Sequence, residues 1–183
     1  MTPFSTSGAP LVVGLGTPDR GDDAVGPLVA RAVAAEGVPG VEVVEQEDPT
    51  ALVELCSGRD LVVVVDAVRS GAEPGSVVVL EVGAGSGPMS EAAWRGTGRG
   101  GTHAFGLGPA VELARALGRL PERVVVVGVE AESFEPGEPL SPAVADALQD
   151  AADTVRRTVG GALMAVSRPE GRPACASHSP DSS

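Results

Sequence analysis

The sequence predicts an α/β fold: a three-layer α/β/α sandwich on a mostly parallel, twisted sheet of about five strands with one antiparallel strand. Three observations carry that prediction. Apolar runs of strand length alternate with stretches of helical apolar spacing along most of the chain. Two of the runs, Leu61–Val65 and Val124–Val129, are apolar at nearly every position, as strands buried on both faces are. The link through Ser70, Gly71, Pro74 and Gly75 is too brief for a crossover, so one strand must turn back.

Taken in order, residues 1–9 are a Ser/Thr/Gly/Pro leader with little to bury, expected to be flexible, and a single domain is expected over residues 10–159. Leu11-Val12-Val13-Gly14-Leu15 is a first buried strand, followed by a glycine-rich turn. Asp22-Asp23 opens a helix over about residues 24–36, with Asp22 in the capping place and Pro27 in the first turn, where its missing N–H costs nothing. Val25, Leu28, Val29, Ala32 and Val33 give that helix one apolar face. Val41 to Glu45 is a second strand, Pro49 to Cys56 a short helix, and Leu61 to Val65 a third strand ended by Asp66. The brief turn then leads into Val77-Val78-Val79-Leu80, which implies a hairpin. Residues 83–104 are a long Gly/Ser/Arg-rich loop, a length that inside a compact domain is usually functional or mobile. Leu107 to Leu117 is a helix, Val124 to Val129 the most continuous strand, and Pro142 to Val159 the last helix. Residues 160–183 lose periodicity and end in Ser, Pro and Asp, a tail expected to be disordered. There is no internal repeat.

At 183 residues the chain is long enough to bury one real core. Hydrophobic residues are 43% and aromatics only 2%, so that core is built from Val, Leu and Ala rather than rings. All 13 basic residues are arginine, and Lys, Asn, Ile and Tyr are absent, a coding bias that weakens any argument from Ala and Val counts. Against 25 acidic residues the net charge is -12, which repels phosphate backbones and anionic lipid and disfavours nucleic-acid and membrane-surface partners. Cys56 and Cys175 form no metal or redox motif; Cys56 reads as a buried helix thiol and Cys175 lies in the polar tail. That pattern, with no basic segment before a long apolar stretch and no apolar run near about 18 residues, makes a cytoplasmic location the expectation.

The turn Gly14-Leu15-Gly16-Thr17-Pro18-Asp19-Arg20-Gly21-Asp22-Asp23 invites a nucleotide-binding reading. A dinucleotide fingerprint needs a third glycine where Asp19 stands, and a P-loop needs Lys and Ser/Thr where Asp22 and Asp23 stand. Two carboxylates at a helix start occupy the positive end of the dipole and repel a phosphate, so this reading is disfavoured.

Asp66 closes the third strand at the carboxyl edge, where open α/β sheets place their crevice. A parallel first strand ends on that edge too, bringing Asp23 near, and His103 follows the long loop just before the 107–117 helix. Two carboxylates and an imidazole are a ligand set for a borderline divalent cation such as nickel or zinc, with positions left open to polarise a carbonyl or activate water. Each residue also has a plain reading: Asp23 a first-turn acid, Asp66 a turn starter, His103 a surface-loop histidine; His178 belongs to the tail.

At these residues the chain resembles the hydrogenase maturation proteases, the nickel-dependent endopeptidases of the HybD/HycI type, over about residues 10–159. The opening Gly-Leu-Gly followed by Gly21-Asp22-Asp23-Ala24-Val25-Gly26-Pro27-Leu28 is the most specific element. The family's metal-binding carboxylates fall on Asp23 and on Asp66 within Val64-Val65-Asp66-Ala67-Val68, and its histidine on His103 within Thr102-His103-Ala104-Phe105-Gly106-Leu107. The Val-Gly-Val strand, Glu132-Ser133-Phe134-Glu135-Pro136 and Leu140-Ser141-Pro142 also look like the family. Two places depart from it. Thr17 stands where an Asn is common, and Glu45-Gln46-Glu47-Asp48-Pro49 stands where many members carry Asp-Gly-Gly, a place where Glu47 or Asp48 could supply the acidic group. We take these as subfamily differences in substrate recognition.

The resemblance implies a substrate and a trigger. The partner is the precursor of a nickel-containing hydrogenase large subunit, and the nickel met by Asp23, Asp66 and His103 arrives with that precursor; other divalent cations can substitute. One cut, shortly after the last cysteine-containing metal motif, releases a C-terminal peptide, with no serine or cysteine nucleophile. The alternative is a non-catalytic assembly factor that docks on the nickel-loaded subunit and holds it.

Overall fold

The computed structural model describes residues 8–87 and 106–166. Its sheet has five strands: β1 (Leu11–Leu15), β2 (Glu42–Gln46), β3 (Leu61–Val68), β4 (Val77–Val82) and β5 (Arg123–Glu130). Helices α1 (Val25–Ala35), α2 (Leu52–Leu55), α3 (Leu107–Ala116) and α4 (Pro142–Val166) cover its two faces. The strand order is β2-β1-β3-β5-β4, with every neighbouring pair parallel except β4 with β5. This is the predicted three-layer sandwich.

Alternation along the central strands sorts one apolar sequence into two cores. Val63 and Val65 of β3 and Val125, Val127 and Val129 of β5 pack with Val25, Val29 and Val33 of α1 and with α4. The intervening Val62, Val64, Val124 and Val126 pack with Leu52 and Val53 of α2 and with Leu107, Ala110, Val111 and Ala114 of α3. Among the described residues neither core contains a buried aromatic side chain, in keeping with the 2% aromatic content. Cys56 lies in the second core, 2% exposed, and burial pushes its thiol up to about 11.

The reversed strand is present, but not as a hairpin with β3. Residues 69–76 arch over the carboxyl end of β5, where the Glu130 carboxylate accepts the Ser70 N–H at 2.9 Å, the Ser70 hydroxyl at 2.7 Å and the Gly71 N–H at 2.9 Å. The chain then descends on the far side of β5 as β4. Burial explains the choice. β5 is buried at all but its first residue and needs neighbours on both sides, whereas β4 exposes Val78 and Val79 and suits an edge.

Two further boundaries differ from expectation. α4 continues past Val159 to Val166, because Ala162 still packs on the first core and Leu163 lies over the Gly40 turn. Residues 8 and 9 are fastened rather than loose: Gly8 bridges to Arg59, whose guanidinium donates to the Ala9 carbonyl at 3.0 Å. The rest of the predicted leader, most of the 83–104 loop with His103, and the tail with Cys175 and His178 lie outside the described residues. Among the described residues no helix is long and apolar enough to cross a membrane.

Candidate active site

The glycines of the first turn serve packing. A Cβ on Gly14 would stand 2.4 Å from the Gly26 carbonyl oxygen and 2.7 Å from the Ala30 Cβ. One on Gly26 would stand 2.1 Å from the Leu15 oxygen and 2.7 Å from the Val65 oxygen. Two bare backbones thus let α1 press against the carboxyl ends of β1 and β3. Gly16 has φ +135°, and a Cβ there would fall 2.0 Å from the Asp23 carbonyl oxygen. The glycine spacing that resembles a phosphate loop is what draws Asp23 back over the end of β1.

Asp22 is not the helix cap. It lies inside a short 3-10 turn, Gly21–Ala24, whose N-cap position is Arg20 with no side-chain cap. Its carboxylate is wholly buried and accepts four hydrogen bonds: from Glu132 N–H at 2.8 Å, Ser133 N–H at 3.0 Å, Ser141 N–H at 2.7 Å and the Ser141 hydroxyl at 3.0 Å. The donors lie 110 or more residues away, so no local spacing could disclose them.

Asp23 is partly buried, and one of its carboxylate oxygens accepts the Thr17 backbone N–H at 2.9 Å. Because the bond uses the main chain, any residue but proline at position 17 can make it, which removes the weight of the Thr-for-Asn departure. Asp66 is 2% exposed, and its Oδ2 has no hydrogen-bond partner. It does not end β3, which runs on to Val68 because β5 pairs it that far, through Val68↔Glu130. β1 pairs only as far as Gly14↔Val65, so Asp66 stands one step beyond the reach of β1 and opposite Gly128 of β5. Its carboxyl is held well above the usual carboxylate range, first by burial and then by the Asp23 charge, against a smaller pull from the Ala67 backbone.

The structure therefore brings two of the three predicted residues, Asp23 and Asp66, into one electrostatic unit. A buried carboxylate oxygen without a partner beside a second carboxylate is costly unless a proton or a cation joins it. Two oxygen donors fit a divalent cation and need further ligands to complete its shell. Among the described residues no third His, Cys, Asp or Glu joins them, and His103 lies outside those residues.

Beside the Asp23 turn is a cleft of about 390 Å³, walled by Gly16, Pro18 and Pro27 and by Glu45, Glu47 and Asp48. Glu45 is committed to Arg31 through two bonds of 2.9 and 2.7 Å. Asp48 accepts the Thr50 N–H at 2.9 Å and caps the turn that leads into α2. Glu47 is exposed on the cleft wall.

Comparison with known proteins gives a consistent result. A family model described as hydrogenase maturation protease matches residues 41–158. No curated protein matches the chain. Among solved structures, the hydrogenase-maturating endopeptidase HybD from E. coli is 23% identical, with 84% of this chain and 93% of that one covered and a TM-score of 0.65. A solution structure of an endopeptidase from Escherichia coli is 24% identical over 84% and 93%, with a TM-score of 0.69. The [NiFe] hydrogenase maturation protease HycI from Thermococcus kodakarensis is 23% identical over 86% and 96%, with a TM-score of 0.62. At these identities the structural likeness speaks for the fold.

Proposed function

The chain belongs to the hydrogenase maturation protease family, a family of peptidases, and from that premise we propose that it cuts the precursor of a [NiFe] hydrogenase large subunit once the nickel is in place. Asp23, Asp66 and His103 are the residues that meet the nickel carried by the precursor, and a C-terminal peptide is the product. The observation that supports this reading is the buried, unpartnered Asp66 oxygen next to the Asp23 carboxylate. A group of that kind is stabilised by an incoming cation, so a precursor without nickel leaves the site with its electrostatic cost unrelieved.

The reading also accounts for the division of labour between the acids. Asp22 is saturated by four bonds and has nothing to offer a substrate. Thr17 orients Asp23 through one oxygen, and the first turn holds it at the carboxyl edge of the sheet. A nickel ion in reach of both aspartates is placed to polarise the scissile carbonyl as a Lewis acid, without a serine or cysteine nucleophile. Cys56, sealed in the second core, takes no part. The reduced, buried thiol and the acidic surface suit the cytoplasm, where the precursor would be met.

The test is to mix the purified chain with nickel-loaded and nickel-free precursor and read intact masses. Loss of one C-terminal peptide from the loaded form alone is the expected result. Cleavage of both forms removes nickel as the trigger. Binding of a cognate precursor with no change in mass replaces the peptidase reading by that of a docking factor.

A further inference from the structure

The segment between β5 and α4 touches both halves of the site. On one side it grips the turn that carries Asp23: Asp22 N–H donates to the Ser133 carbonyl at 2.9 Å, Gly21 N–H to Glu138 at 3.1 Å, and the Arg20 Nε to Phe134 at 3.1 Å. Gly137 N–H returns a bond to Asp19 at 2.8 Å. On the other side it is tied to the end of the strand that carries Asp66. Ala131 N–H donates to the Val68 carbonyl at 2.8 Å, and the Arg69 guanidinium donates to the Glu132 carbonyl at 3.1 Å. That same guanidinium lies 4.7 Å from the centre of the Phe134 ring.

At the centre is the Asp22 carboxylate with its four bonds. Three of its donors are main-chain N–H groups at both ends of the segment, so one side chain closes residues 132–141 into a loop of fixed width. We propose that Asp22 is a positioning residue: its carboxylate locks this segment as a spacer between the first turn and β3, and so sets the separation of Asp23 from Asp66. The proposal rests on the reading of those two aspartates as the pair that meets the substrate's nickel.

The mechanism is geometric. Asp22 and Asp23 are adjacent in one 3-10 turn, so any rotation that frees Asp22 carries Asp23 with it. An Asn at position 22 keeps one acceptor but turns an NH₂ toward main-chain N–H donors, which breaks the lock with almost no change in volume. A displacement of about 1 Å in a reacting constellation can cost about 100-fold in rate.

The experiment compares Asp22→Asn with Glu130→Gln in the full-length chain acting on nickel-loaded precursor. Glu130 is the matched control: it is 3% exposed and anchors a loop through three bonds, but that loop is the β3–β4 link. Urea unfolding gives the folded fraction of each variant, and kcat is expressed per folded molecule. Asp22→Asn is expected to lower kcat by about 10- to 100-fold, and Glu130→Gln to leave it near wild type. Equal effects of the two variants overturn the proposal and leave Asp22 as a fold anchor only. If Asp22→Asn fails to fold, Ser141→Ala removes only the hydroxyl donor; it should lower kcat several-fold, Ser141→Thr should restore it, and an unchanged kcat in Ser141→Ala overturns the proposal. Wild-type cleavage by Asp23→Ala sinks the underlying reading and this proposal with it. Loss in Asp23→Ala with wild-type cleavage in Asp22→Asn sinks this proposal alone.

Discussion

Asp66 and Asp23 are coupled: burial first, and the Asp23 carboxylate second, raise the proton affinity of Asp66, whose Oδ2 has no hydrogen-bond partner. Its pH consequence has a definite sign. The folded state holds the Asp66 proton more tightly than the unfolded chain does, so the stabilisation is complete below the ordinary carboxylate range of about 3.9 and is lost as pH rises through the raised folded value. Asp66→Asn removes the ionisable group. The metal-free variant should therefore melt above wild type, by a margin larger at pH 8 than at pH 5, at roughly 2–4 °C for each kcal/mol gained. Thermal melts at the two pH values check this; a variant less stable at both would show that the carboxyl is fully satisfied in the fold. The same variant should leave the precursor uncut.

Thr17 acts on Asp23 through its main chain. Thr17→Ala and Thr17→Asn should cleave nickel-loaded precursor within about twofold of wild type, because the N–H is unchanged. Thr17→Pro deletes the donor and should lose most of the activity. Equal activity in all three would show that the 2.9 Å bond does not orient the carboxylate.

Gly26 and Gly37 separate two reasons for a glycine. Gly26 faces the Leu15 oxygen at 2.1 Å from a would-be Cβ, so Gly26→Ala must push α1 off the sheet and should cost about 3 kcal/mol or more. Gly37 has open space but a φ of +61°, so Gly37→Ala should cost only about 1 kcal/mol. Urea midpoints at constant m-value measure both, and a reversed order would be incompatible with the packing described here.

Cys56 should be chemically silent in the folded protein. Its thiol is buried and its pKa is about 11, so little thiolate exists at neutral pH. In a Cys175→Ser background, an aromatic disulfide reagent should label the chain only as fast as it unfolds. Stoichiometric labelling within seconds under native conditions would contradict the burial.

The sequence by itself settled what depends on near neighbours. Short continuous apolar runs and helical apolar spacing located the five strands and four helices of the described residues, because both are patterns among near neighbours in the chain. Asp66 and the Asp23 turn stood out in the sequence as acids set beside apolar runs, and the expectation that they share a sheet edge came from parallel order, although β3 runs on past Asp66 to Val68. The tertiary structure alone decided three other matters. It set β4 outside β5, because whole-strand burial, not link length, chooses a strand's neighbours. It carried α4 past Val159, because Ala162 finds a core that no local pattern announces. It turned Asp22 from a cap into a lock, because its partners at Glu132, Ser133 and Ser141 are close only after the sheet has formed. The physical reason is common to all three: propensity and periodicity are local, whereas burial and hydrogen-bond satisfaction are fixed by residues far away in the chain.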